Sequence, residues 1–92
     1  MQIRMRYEAQ ARRACGIDEE LIELPESSRV SDCIRYVAQR HAETLGPIVL
    51  NADGEIQPSL LIFRGDEQVM RNDPGELTDG ETISIMTPIS GG

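Results

Sequence analysis

The 92-residue chain contains no lysine and no tryptophan, and its aromatic residues are two tyrosines and one phenylalanine. All nine basic residues are therefore arginine, and 16 acidic residues give a net charge of −7. Proteins that bind nucleic acids present clustered cations to the phosphates. The adjacent pair Arg12-Arg13 stands alone, so we expect it on a solvated loop. An acidic domain of this kind favours a basic protein surface as its partner, and not nucleic acid.

Cysteine is also scarce, and Cys15 and Cys33 show neither a CxxC motif nor metal-ligand spacing. We therefore expect no metal site. Two cysteines without a secretion signal are typical of the cytoplasm, where thiols stay reduced. Long apolar runs are missing as well, because the longest covers residues 60–63 and a membrane span needs about 20 apolar residues. We expect a cytoplasmic protein that makes no membrane contact.

The length of the chain limits its chemistry. A chain of this size forms one small domain that buries roughly 60–65% of its unfolded surface. Aliphatic side chains must fill the core, which leaves little room for a deep, enclosed active site. The sequence contains neither a phosphate-binding GxxxxGK[ST] loop nor a recognisable pair of nucleophile and base. We therefore expect that the protein is not an enzyme.

Alternating apolar residues predict strands near both ends of the chain. Ile3, Met5 and Tyr7 alternate with polar residues, and Ile83 and Ile85 do so before the C-terminus. The same reasoning predicts strands over residues 20–24 and 60–63, a short strand over residues 68–70, and a polar loop over residues 8–18. Asp79-Gly80 predicts a tight turn directly before the last strand.

One amphipathic helix follows the second predicted strand. Apolar residues between positions 30 and 45 recur at helical spacing, and His41 lies at the edge of their stripe, where we expect it half-buried. Ser31 is the predicted N-cap, Asp32 lies in the first turn, and Gly46-Pro47 ends the helix. A single helix covering one face of the sheet predicts an α+β fold in two layers. This crossover permits parallel pairing of the first and last strands.

The end of the chain has a composition suited to insertion into another protein. Pro88 fixes its own φ and favours an extended conformation at Thr87, so the tail should leave the domain in a defined direction. Gly91 and Gly92 carry no side chains and can thread a narrow channel. These features divide the chain into a domain over residues 1–86 and a tail over residues 87–92. A carboxylate must be activated before it transfers anything, and a partner must supply the nucleotide site.

Turn, last strand and tail follow one another at a specific spacing: Leu77-Thr78-Asp79-Gly80-Glu81-Thr82-Ile83, then Pro88-Ile89-Ser90-Gly91-Gly92. This ending resembles the L-x-D-G-[DE]-x-[VI]…P-x-x-G-G pattern of the MoaD/ThiS family of sulfur carriers, which are β-grasp relatives of ubiquitin. The resemblance is to the molybdopterin synthase small subunit and to a longer MoaD-like branch. The longer branch is favoured because the segment over residues 48–58 is longer than its counterpart in the compact members. Arg64-Gly65 departs from the Asn-Gly that members often carry. The resemblance implies a mixed sheet of four to five strands with one main helix packed on one face.

The resemblance also implies a function. An E1-like enzyme would adenylate Gly92 with ATP, and a sulfur-donor protein would convert the terminus to a thiocarboxylate. The thiocarboxylate would then serve an accepting enzyme, such as the large subunit of molybdopterin synthase, or the synthesis of cysteine or the thiamine thiazole. The chain itself would be a protein co-substrate or a non-catalytic subunit, with no bound cofactor. The resemblance assigns tail threading to Pro88, Ile89, Ser90 and Gly91, and partner contacts on the open face of the sheet to Met86 and Ile62. For Ile62 a place in the core is an equal alternative.

Two alternatives remain open from the sequence. The first is a protein modifier joined through Gly92 to lysines of target proteins; its own lack of lysine would leave only an N-terminal amine for chain building. The second is a ubiquitin-like interaction domain whose glycine ending is incidental. Deleting Gly91 and Gly92 separates the second from the others, because a pure binding module would keep its function.

Overall fold

The computed structural model describes residues 1–87, and residues 88–92 lie outside the described part. Within residues 1–87 the elements are, in chain order, β1 (Gln2–Ala9), α1 (Gln10–Cys15), β2 (Glu19–Glu23), α2 (Val30–Arg40), α3 (Gly46–Val49), β3 (Leu61–Arg64), β4 (Glu67–Val69) and β5 (Thr82–Thr87). The strands form one sheet in the order β2-β1-β5-β3-β4. β1 and β5 are parallel, and the other neighbours are antiparallel. This mixed five-stranded α+β arrangement confirms the predicted fold.

The core lies between the sheet and α2. The helix contributes its predicted stripe of buried residues, Val30, Cys33, Ile34, Val37 and Ala38. The central strands contribute alternate residues, Ile3, Met5 and Tyr7 from β1 and Ile83 and Ile85 from β5. Burying each such aliphatic side chain stabilises the fold by roughly 1.5–3 kcal/mol. One face of the sheet is thereby covered, and the other is open.

The segment over residues 8–18 differs from the predicted polar loop. It contains the end of β1 and the short helix α1, whose Ala11 is fully buried. One buried alanine is too weak a signal for an apolar period, so the pattern could not reveal this helix. Ala9 joins the two elements at φ 53° and ψ −124°, a conformation that costs a non-glycine residue about 1–3 kcal/mol.

The predicted caps of the main helix were wrong, although its location was correct. Arg29 flanks the helix, and its backbone N–H donates to the Asp32 carboxylate at 2.8 Å, so Ser31 is not the N-cap. α2 ends before the predicted Gly46-Pro47, which instead begins α3. Proline fits the first turn of a helix because the N–H it lacks would have no partner there. None of the helices in the described range is long and apolar enough to cross a membrane.

Candidate functional site: the tail exit and the open face

The tail begins where the central strand β5 ends. β5 lies between β1 and β3, and its last residue, Thr87, pairs with Ala9 of β1. β5 is paired on both sides up to Met86, and Thr87 itself is held by the ladder with β1. The predicted tail residues lie outside the described part of the chain, namely Pro88, Ile89, Ser90, Gly91 and Gly92.

Helix α1 packs beside this exit against β1 and β5. It presents two exposed guanidinium groups, those of Arg12 and Arg13, and the Arg12 Nε lies 3.8 Å from Asp18 Oδ1. Cys15 is half-buried, with its Sγ 3.5 Å from the Ile17 carbonyl oxygen. The predicted basic pair is thus solvated as expected, but it lies on a helix next to the exit.

The turn before β5 holds the start of that strand to β1. Asp79 Oδ1 accepts a hydrogen bond from the Gln2 backbone N–H at 2.7 Å, and the Gly80 N–H donates to the Gln2 carbonyl at 2.8 Å. Gly80 has φ 89°, which glycine adopts without steric cost. Leu77 is buried in the core. These residues of the L-x-D-G motif therefore have a structural explanation, because they align β5 and so position the exit.

Arg64 fixes the same region from the other side. Its Nε and Nη2 donate to the two carboxylate oxygens of Glu81 at 2.6 and 2.8 Å, and Nη2 also donates to the Glu76 carbonyl at 2.8 Å. Glu81 accepts a further bond from the Thr78 N–H at 2.7 Å. The guanidinium of Arg64 holds the pKa of Glu81 below its usual value. Arg64, which stands where family members often carry asparagine, thus forms a bidentate ion pair with Glu81 that orders the loop before β5.

The open face of the sheet carries a small group of apolar side chains. Strand register places Met86 between Glu8 and Leu61, and places Phe63 beside Ser84. Met86, Leu61 and Phe63 are half-buried, and we call these three residues the apolar patch. It adjoins a groove of about 150 Å³ between β3 and β4, at whose rim Met70 is 71% exposed.

Ile62 does not belong to this face. It pairs with Ile85 and Val69 on the covered side and is 1% exposed, so its expected place as an open-face contact was wrong. The four apolar residues over 60–63 show no alternation, so the sequence could not tell which of them point outward. Sequence reasoning missed Leu61 and Phe63 for that reason, and their register with Met86 and Ser84 of β5 identifies them.

Two arginines border the apolar patch on the β1 side. The Arg4 Nη1 lies 2.9 Å from Glu19 Oε1, and the Arg6 Nε lies 3.9 Å from Glu19 Oε2. Two cations thus share the Glu19 carboxylate, and Glu8, which pairs with Met86, adds a second carboxylate on the same side of the patch. A complementary surface would be apolar, with charged groups of both signs at its rim.

A second polar cluster lies under the end of α2, on the covered side. The Glu20 carboxylate accepts from the Tyr7 hydroxyl at 2.5 Å and the Arg40 Nε at 2.8 Å, and it lies 2.7 Å from His41 Nε2. Burial, with the bond to Glu20 adding to it, raises the pKa of Tyr7, so the hydroxyl remains a donor. His41 is half-buried as expected. This cluster joins β1, β2 and α2.

Comparison with known proteins identifies the family. The model of the ThiS family matches residues 5–92. The chain belongs to the ThiS family. Members of this MoaD/ThiS group are small ubiquitin-like carrier proteins or subunits.

Three known proteins are similar to the chain over its full length. The molybdopterin synthase sulfur carrier subunit of Chlamydomonas reinhardtii is 26% identical over 92 residues, covering 100% of both chains. Small archaeal modifier protein 3 of Haloferax volcanii is 23% identical over 94 residues, again covering 100% of both. The crystal structure of SAMP1 from H. volcanii superposes with a TM-score of 0.88 at 18% identity, covering 100% of both chains. This last likeness confirms the β-grasp fold of the ThiS-family chain.

Proposed function

We propose that this ThiS-family protein is a sulfur carrier whose Gly92 is activated by an E1-like enzyme and converted to a thiocarboxylate. The observation that carries the proposal is the reach of the family match, which runs through the diglycine to residue 92. The position of Thr87 at the end of a strand paired on both sides supports it. The chain is then a co-substrate, and its partner supplies the catalytic groups.

The chemistry requires two steps at the Gly92 carboxyl group. A carboxylate oxygen attacks the α-phosphorus of ATP and pyrophosphate leaves, which gives an acyl-adenylate. The terminal sulfur of a persulfide on the donor protein then attacks the carbonyl carbon, AMP leaves with the oxygen, and an acyl disulfide forms. A thiol next attacks the donor's sulfur of this disulfide, which breaks the S–S bond, releases the thiocarboxylate and leaves the donor in a disulfide. Gly91 has no side chain to obstruct either approach. This chemistry belongs to the cytoplasm, where thiols stay reduced.

The apolar patch is the docking surface in this proposal. Met86 lies one residue before the end of β5, so a partner that covers the patch also receives the tail. The activating enzyme and the sulfur-accepting enzyme would use the same face in turn. The name of the C. reinhardtii relative favours molybdopterin synthesis, with the large synthase subunit as acceptor; cysteine or the thiamine thiazole are the other destinations.

The test is an incubation of the full chain with its cognate E1-like enzyme, ATP and a sulfur donor, followed by intact mass measurement. We expect the exchange of one oxygen for one sulfur, and no change in a chain that lacks Gly92. If ATP is consumed and no sulfur is gained by the complete chain, the carrier proposal fails.

The similarity to small archaeal modifier protein 3 favours a second candidate, conjugation of Gly92 to lysines of other proteins. The same reaction without a sulfur donor, supplied with lysine-containing proteins of the host, distinguishes the two. Adducts joined through Gly92 would support the modifier function. Their absence alongside efficient thiocarboxylate formation would exclude it.

A further inference from the structure

We propose that the exclusive use of arginine around the tail exit prevents the activated C-terminus from acylating its own chain. Arginine supplies positive charge at positions where lysine would supply a reactive amine. The inference rests on the proposed function, because only an activated Gly92 would react with an amine.

The chemical difference between the two basic side chains is large. A lysine amine has a pKa near 10.4, so a small fraction is uncharged and nucleophilic at neutral pH. Such an amine would attack the carbonyl carbon of the acyl-adenylate. The new C–N bond forms, the C–O bond to AMP breaks, AMP leaves, and the nitrogen releases one proton. A guanidinium is delocalised and stays protonated, so it cannot take this role.

Geometry places several cations within reach of the reacting carboxyl group. Five residues beyond Thr87 span at most about 17 Å. Arg12 and Arg13 lie on α1, which begins directly after the residue that pairs with Thr87. Arg6 pairs with Ser84, about 10 Å from the end of β5 at the usual rise of a strand. All three side chains are exposed.

The amino group of Met1 does not substitute for a lysine. It is partly buried, donates to the Leu24 carbonyl at 2.8 Å, and lies 3.7 Å from Glu23. β1 runs parallel to β5, so this group is at the opposite end of the sheet from the exit. At the rise of a strand it is about 26 Å from Ala9, beyond the length of the tail.

Two matched variants test the inference. R13K introduces an amine beside the exit. R29K introduces one at the far end of the domain, where the backbone of Arg29 forms an isolated β-bridge with that of Glu76. Both positions are exposed and both variants keep the charge. Each is incubated as the full chain with the cognate E1-like enzyme and ATP, without a sulfur donor, near pH 8.5. Pyrophosphate release reports activation, and intact mass reports an internal amide as the loss of one water.

We expect pyrophosphate from all chains, and the internal amide in R13K at roughly ten times its level in R29K, because a short tether gives an effective concentration in the millimolar range. The unaltered chain should form none. If R13K releases pyrophosphate and stays unmodified, the inference fails while the proposed function stands. Self-acylation of the unaltered chain would also overturn it. If no chain releases pyrophosphate, the proposed function fails and the inference fails with it.

Discussion

Arg64 shows how one side chain positions the strand that leads to the tail. Its guanidinium is three-quarters buried and holds Glu81 and the Glu76 carbonyl. R64A leaves these acceptors without their donor, so we expect the free energy of unfolding to fall by about 2 kcal/mol. R64K should recover only part of the loss, since an ammonium cannot match both carboxylate oxygens. Urea denaturation measures both, and an R64A midpoint equal to that of the unaltered chain would contradict this account.

Glu20 gives the fold a sensitivity to acid. Burial alone would raise the pKa of this carboxyl group, but the bonds from Tyr7, His41 and Arg40 lower it below its usual value. A carboxyl group whose pKa is lowered in the folded state stabilises the protein at pH values above its pKa in the unfolded chain, which is near 4.3. That contribution is lost as pH falls through the folded pKa. We therefore expect E20Q to be less stable at pH 7 by about 1–3 kcal/mol.

The pH dependence separates this role from a general loss of packing. Between about pH 5 and pH 3, E20Q should lose less stability than the unaltered chain, as measured by urea midpoints. The neighbouring Glu19 is a suitable control because its side chain is 44% exposed, and exposed ion pairs contribute about 0–1 kcal/mol. If the urea midpoints of E20Q and of the unaltered chain fall in parallel as the pH is lowered, the assigned role of Glu20 is wrong.

At the scale of elements, β3 presents one residue to the core and its neighbour to the open face of the sheet. Ile62 is in the core, and Phe63 lies in the apolar patch. We expect I62A to lower the free energy of unfolding by about 2–4 kcal/mol, because it leaves a cavity. F63T should instead weaken binding to the E1-like enzyme by about tenfold, with a smaller effect on stability. Calorimetric titration and urea denaturation of both variants measure the two effects. Equal affinity for F63T and the unaltered chain would remove Phe63 from the docking surface.

Elements with a strong periodic pattern were predictable from the sequence, and those without one were not. The stripe of α2 and the alternation in β1 and β5 located the main layers correctly, because burial on one face leaves a period. The uniformly apolar run that contains Ile62 has no period. Which of its residues point into the core is known only from the pairing of β3 with β5. Helix α1 buries a single alanine and left no signal. The N-cap prediction failed because α2 already begins at Val30, so Ser31 lies within the helix, and the Asp32 carboxylate accepts from the backbone N–H of Arg29.

At the scale of the whole molecule, the parallel pairing of β1 with β5 organises the candidate site. It places α1 and its arginines beside Thr87, and sets Arg4 and Arg6 beside the apolar patch. The sequence predicted the tail and Met86 as the reacting and docking parts. It could not bring them together with Leu61 and Phe63, since these contacts depend on strand order and register. The roles of the tail residues and of Met86 stay predictions.

The most direct measurement of the central claim is the location of sulfur within the chain after activation. Arg71 is the last basic residue, so trypsin releases residues 72–92 as one peptide that contains the tail but neither cysteine. Tandem mass spectrometry of this peptide, after reaction with the E1-like enzyme, ATP and a sulfur donor, should find sulfur in place of oxygen at Gly92. Sulfur found instead as an added atom on Cys15 or Cys33, with an unaltered tail peptide, would contradict the account.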